Sequence, residues 1–142
     1  MMYKRILLAY NATVHSTKAL RQAAQLAKLC DAQLHILGIV ATTGSIVLGQ
    51  SVASTDLLAV LHKKIDEALA SAKDELCSRE INVITHKAEG EPSVVITSCA
   101  SQISADLIVV GHSNRSLLAR WFQSSTGAKL LDNLQCSLLI AN

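Results

Sequence analysis

A chain of 142 residues, half of them apolar and with a net charge of +2, has the length and apolar content of one compact domain, expected over 1–142. No basic run stands out, so neither nucleic acid nor a membrane surface has electrostatic support as a partner. Aromatic residues make up only 3%, which leaves Leu, Ile, Val and Ala to fill the core.

The opening Met1-Met2-Tyr3-Lys4-Arg5 leads into a short apolar stretch ending at Tyr10, too brief for a signal-peptide core or a membrane span. The cytoplasm is the expected location. Arg5–Tyr10 reads as a first buried strand, followed by the polar loop Asn11-Ala12-Thr13. Ser16 or Thr17 can cap a helix in which Ala19, Leu20, Ala23, Ala24, Ala27 and Cys30 make one apolar stripe. Gln33–Val40 is a second strand, with Gly38 suited to a close approach.

Ala41–Ser54 carries no charge and exceeds the usual connection of about four to six residues, so it reads as a solvated connection or a binding flap. Thr55–Arg79 is a long helix with Leu57, Leu58, Leu61, Ile65, Ala68, Leu69, Ala72 and Leu76 on one face. Ile81–His86 alternates imperfectly and suits a strand near a sheet edge. Glu89-Gly90-Glu91-Pro92 is a turn whose proline fits a helix start, and Val95, Ile96, Cys99, Ala100 and Ile103 stripe that helix.

Leu107–Val110 runs into Gly111, the profile of a strand buried on both faces that ends in a tight turn. Leu117, Leu118, Trp121 and Phe122 suit one or two helical turns. A final helix carries Leu130, Leu131 and Leu134, and Cys136–Ala141 is a last strand. Strands alternating with helices imply an α/β fold, a parallel sheet with helices on both faces. The strand end at Gly111, its loop and the helix start at Gln123-Ser124-Ser125-Thr126 have the make-up of an anion cradle, with backbone N–H groups and a helix dipole facing one site. Cys30, Cys77, Cys99 and Cys136 lack any C-x-x-C spacing and read as buried free thiols.

Four segments resemble the universal stress protein family: KRILLAYNATVHSTKAL from Lys4, AEGEPSVVI from Ala88, ADLIVVGHSNRS from Ala105 and SSTGAKLLDNLQCSLLIA from Ser124. The resemblance spans the chain and implies a five-stranded parallel sheet in the order 3-2-1-4-5, an adenine nucleotide alpha hydrolase-like sandwich. It also implies a homodimer paired through the last strand, with Leu138, Leu139 and Ile140 at the interface, serving some further protein partner.

Many members of this family bind ATP through a pattern of G, two residues, G, nine residues, then G and Ser or Thr. Here the spacing is kept as Gly111, Asn114, Ser124 and Ser125, but only Gly111 and Ser125 match in type. The family's acidic residue after the first strand falls on Asn11, which can bond a ribose hydroxyl but lacks the charge for a metal-linked contact. By the same resemblance Ala9 and Ile39 border the adenine, and Arg115 and Arg120 could neutralise phosphates. Asparagine tolerates left-handed backbone, yet the Asn114 side chain occupies space a phosphate would use. Ser124 limits close approach while adding a hydroxyl, and Ser125 and Thr126 also cap the last helix.

Other chemistries lack their residues. His112-Ser113 has no G-x-S-x-G around it, no carboxylate cluster follows the first strand, and neither a P-loop nor G-x-G-x-x-G occurs. The five histidines stand apart, none in a metal-spaced pair, and read as satisfied or solvated. No catalytic or metal-binding residue is assigned. Two readings remain: a regulatory module with ATP or AMP at the crevice, and a nucleotide-independent dimeric interaction module of the same fold. Spacing, Gly111 and Ser125 favour the first; Asn11, Asn114 and Ser124 favour the second.

Overall fold

The computed structural model describes residues 2–10, 14–41, 54–111, 119, 128 and 132–141, with backbone alone for 14–16, 41 and 54–56. Strands β1 (Arg5–Tyr10), β2 (Gln33–Ala41), β3 (Val83–Gly90), β4 (Leu107–Gly111) and β5 (Ser137–Ala141) form one parallel sheet in the order β3-β2-β1-β4-β5. Three helices are interleaved among the described residues: α1 (Val14–Cys30), α2 (Ser54–Cys77) and α3 (Pro92–Ile103). The strand order and the parallel sense are those expected from the sequence.

Side-chain alternation along the strands divides the core in two. Ile6, Leu8, Leu34, Ile36 and Val109 face α1 and α2, where they meet Ala19, Ala23, Ala24, Ile65 and Leu69. Leu7, Ala9, Leu37, Ile108 and Val110 face the other way, against Ile96, Cys99 and Ala100 of α3. The central strands are apolar on both faces because both faces are covered, and Ile6, Leu7 and Leu8 are fully buried. Small residues on α1 let that helix lie close to the sheet. Gly38 has the same effect under α2: a Cβ there would sit 2.5 Å from Ile65 Cγ2 and 2.9 Å from Leu69 Cδ1.

Several boundaries differ from expectation. α1 begins at Val14, so Ser16 and Thr17 fall inside its first turns rather than capping it. β3 begins at Val83 and runs through Gly90, because its backbone stays paired with β2 as far as Ala41. The segment 89–90 is therefore strand, and only Glu91 separates it from α3, where Pro92 takes the first turn as expected. Ala119, Ala128 and Asp132 have helical backbone, whereas Leu117, Leu118, Trp121, Phe122, Leu130 and Leu131 lie outside the described residues. All four cysteines are free; Cys99 is buried, Cys30 and Cys136 are half-buried, and Cys77 is exposed, unlike the buried thiol expected.

All three described helices end in one way. Asp31, Glu80 and Ser104 adopt left-handed backbone, with φ of 53, 63 and 55°. In each case the next residue donates its N–H to the carbonyl five positions back: Ala32 to Ala27, Ile81 to Leu76 and Ala105 to Ala100, at 2.8, 3.2 and 2.9 Å. This is the Schellman closure, made here without glycine. Among the described residues no helix is long and apolar enough to cross a membrane.

Candidate functional site

The connections decide where a site can form. From β1 through β2 to β3 the chain passes over the face covered by α1 and α2, and it returns to β4 along the α3 face. Leu134, on the way from β4 to β5, packs into the α3-side cluster. The chain therefore continues from β1 on one face and from β4 toward the other, and open α/β sheets place ligands at the carboxyl ends of strands at such a switch point.

Tyr10 ends β1 and Gly111 ends β4; carrying the register Leu8↔Val109 forward sets the two level. On the other side of Tyr10 lies Gly38, with Ile39 next along β2. Ala9 is buried against Ile96, Cys99 and Ala100, and Ile39 is half-buried against the same cluster. Gly111 is buried and pairs with Ala141. The structure thus brings Ala9, Ile39 and Gly111 to one end of the sheet, with Ala9 and Ile39 on the same face. Asn11, Asn114, Arg115, Arg120, Ser124, Ser125 and Thr126 lie outside the described residues.

At this end of the sheet Ala9 and Ile39 are apolar, and Tyr10, only 8% exposed, packs into the core on the opposite, α1 and α2 side. Burial, with a smaller contribution from the Glu75 carboxylate, pushes the Tyr10 phenol above its ordinary value, so it stays neutral at physiological pH. Ala9 and Ile39 can exclude water from a planar base. Leu138 is half-buried against the α3-side cluster, whereas Leu139 and Ile140 are 36% and 39% exposed on the outer strand β5.

The amino end of the sheet is built differently. The N–H groups of Lys4 and Arg5 donate to Asp106 Oδ2 and Oδ1 at 2.8 and 3.1 Å. The Asp106 N–H donates to the Arg5 carbonyl, and the Ser137 N–H to the Asp106 carbonyl, so one residue ties β1, β4 and β5 together. Beside it a cleft of about 680 Å³ opens between α3 and residues 133–136, lined by Ser98, Ser101, Asp106, Asn133 and Cys136 among others. Among the described residues no lysine or arginine lines this cleft, so they do not suit a phosphate. Burial raises the thiols of Cys99 and Cys136, the latter also through Asp106, and both stay protonated and unreactive.

One cluster was invisible to sequence spacing. His35 Nδ1 and His86 Nε2 lie 2.8 Å apart on the α3 side of β2 and β3. They are 51 residues apart in the chain, and only the β2–β3 register makes them neighbours. Among the described residues no group of three or more His, Cys, Asp or Glu side chains could hold a metal ion.

The chain matches the model of the universal stress protein family over residues 2–142. It is 30% identical over 154 aligned positions to universal stress protein YxiE of Bacillus subtilis, covering 98% of this chain and 99% of that one. Its fold is similar to that of a universal stress protein solved in complex with cAMP, at a TM-score of 0.72 and 21% identity, covering 100% of this chain and 99% of the other. It is also similar to the universal stress protein from Archaeoglobus fulgidus solved in complex with dAMP, at a TM-score of 0.63 and 16% identity, over 100% of both chains.

Proposed function

The chain belongs to the universal stress protein family, and on that premise we propose that it is a small cytoplasmic regulatory module of the stress response that holds an adenine nucleotide, ATP or AMP, at the carboxyl ends of β1 and β4. The observation that carries this reading is the switch point between β1 and β4, from which the chain continues on opposite faces of the sheet. Two proteins of the same fold were solved with adenine nucleotides, which supports that ligand class.

In this reading Ala9 and Ile39 border the base and Asn11 bonds a ribose hydroxyl. Main-chain amides from Gly111 onward, Asn114, Arg115, Ser124, Ser125 and Thr126 take the phosphates. Ala9 and Ile39 are apolar and uncharged, which suits a base. Asn11 supplies an amide where ATP-binding relatives carry a carboxylate, so the ribose contact is a hydrogen bond without a metal behind it. Binding without turnover is the corresponding activity, because the reading assigns no nucleophile or base to the crevice.

Calorimetric titration with ATP and with AMP tests the proposal; binding heat supports it, and a flat isotherm at millimolar nucleotide overturns it. Ser125→Trp should abolish that heat by filling the phosphate end, while sedimentation shows the oligomeric state unchanged.

A second reading rests on a different observation, the exposed apolar side chains of Leu139 and Ile140 on an unpaired edge. Here the protein is a nucleotide-independent homodimer joined through β5, working by contact with another protein. Loss of the dimer in a β5 variant and a flat ATP isotherm separate the two readings.

A further inference from the structure

β3 is an edge strand held by polar contacts on both faces. Val83 is its one buried residue. Toward α2, Lys87 Nζ meets Asp66 Oδ1 at 2.9 Å, and His62 Nε2 meets Glu89 Oε2 at 3.1 Å. Toward α3, His86 Nε2 meets His35 Nδ1 at 2.8 Å, and His35 Nε2 meets Gln33 Oε1 at 2.7 Å. His35 is 5% exposed.

The two imidazole planes are within 14° of parallel, with centroids 5.1 Å apart. That separation is about the N···N distance plus the two ring radii. The rings therefore lie edge to edge in a common plane, each aiming a nitrogen at the other, rather than face to face. The Gln33 oxygen can only accept, so His35 Nε2 carries a hydrogen. In the neutral ring Nδ1 is then bare and accepts from a hydrogen on His86 Nε2. The chain runs His86 to His35 to Gln33.

One added proton fits on His86 Nδ1, leaving the Nε2–H bond to His35 in place, or on His35 Nδ1 once His86 changes tautomer to present a bare Nε2. Two added protons do not fit, since hydrogens on both facing nitrogens would collide between two cations. Of the charged groups on this face, the one that acts on His35 is the cation Arg5 of β1. α3 carries no Asp, Glu, Lys, Arg or His from Pro92 to Ile103, its titratable residue being Cys99. Asp66, Lys87, His62 and Glu89 lie across the strand, on the α2 side. A metal would need further donors, and among the described residues no such group exists.

We propose that His35 and His86 form a proton-sensing latch, closed when neutral, that fastens the edge strand β3 to β2 and releases it on protonation. The direction follows from burial. Desolvation, the neighbouring His86 and Arg5 lower His35 below its ordinary value, and desolvation lowers His86. Above the ordinary imidazole value of about 6.5 both the closed and the opened strand are neutral, and the latch holds in full. Below it the opened strand takes up protons that the closed one refuses, and opening becomes easier until the closed pair itself protonates.

Amide hydrogen exchange on the full chain, corrected for intrinsic exchange, tests this between about pH 7.5 and about pH 5.5. The opening constant of β3 should rise on acidification by up to about tenfold per pH unit for each histidine that binds a proton on opening, while β1 and β4 stay closed. Glu89→Gln should keep this response, and the double variant H35Q/H86Q should lose it. A response that disappears in Glu89→Gln, or persists in the double variant, overturns the latch. Should the double variant not fold, imidazole ¹⁵N shifts of the native protein decide. Nε2–H tautomers at neutral pH with midpoints below about 6.5 support the latch, and two independent titrations at that ordinary value reject it.

Discussion

Gly38→Ala should lower stability by about 2–3 kcal/mol, measured as a shift in the urea midpoint. The added Cβ would stand 2.5 Å from Ile65 Cγ2 and 2.9 Å from Leu69 Cδ1. Ile65 is β-branched, hence stiff, and only 6% exposed, so the methyl cannot swing away and α2 must lift from the sheet. Alanine is better than glycine inside a strand by about 0.5–1 kcal/mol, which is too little to offset overpacking. Removing the obstacle should show where the loss comes from. Ile65→Ala alone costs about 2–5 kcal/mol, yet the pair should be less damaging than the sum of the singles by about 1–2 kcal/mol. Strict additivity would mean that the two positions do not touch.

On the proposed pairing through β5, Ile140→Lys should give a monomer where the native chain dimerises, while leaving the circular dichroism spectrum intact. β5 pairs with β4 alone, and its sequence SLLIA has no charge or proline to deter another strand. Leu139 and Ile140 point to opposite faces and are both exposed, so a second copy running antiparallel across a two-fold axis would cover both. The opposite edge differs: β3 carries Lys87 and Glu89, each paired to α2, which leaves little apolar surface to recruit a partner. Sedimentation equilibrium on the native chain and the variant checks this. A native monomer, or a lysine variant that still dimerises, refutes pairing through β5.

The sheet was legible because its central strands are unbroken apolar runs. Arg5–Tyr10 matches β1 residue for residue, and the stripes around Ala23, Leu69 and Ile96 are those that touch the sheet. β3 was harder. Its polar residues His86, Lys87 and Glu89 and the glycine–proline signal after them resemble a turn, although main-chain pairing continues to Gly90. The start of α1 shifted because Ser and Thr also occur inside helical turns, and only backbone geometry tells a cap from an interior residue.

Of the candidate site, hydrophobic runs located the ends of β1 at Tyr10 and of β4 at Gly111, whereas Ala9 and Ile39 came through the family resemblance. The His35–His86 contact could not be read in advance. It depends on a one-strand register, and a slip of a single residue would turn one ring to the other face. Asp106 escaped notice for a similar reason: its partners are main-chain N–H groups about a hundred residues away, which no side-chain pattern records.

The three non-glycine left-handed caps among the described residues, Asp31, Glu80 and Ser104, all sit at the amino rim, away from the carboxyl ends of the strands. Each carries a Cβ in a conformation that glycine adopts without that steric cost. Backbone strain at the helix ends and the proposed nucleotide site are consequently kept in separate places. A lineage could drift to hotter or colder habitats by exchanging these rim residues, with no compensating change where a small molecule would be recognised.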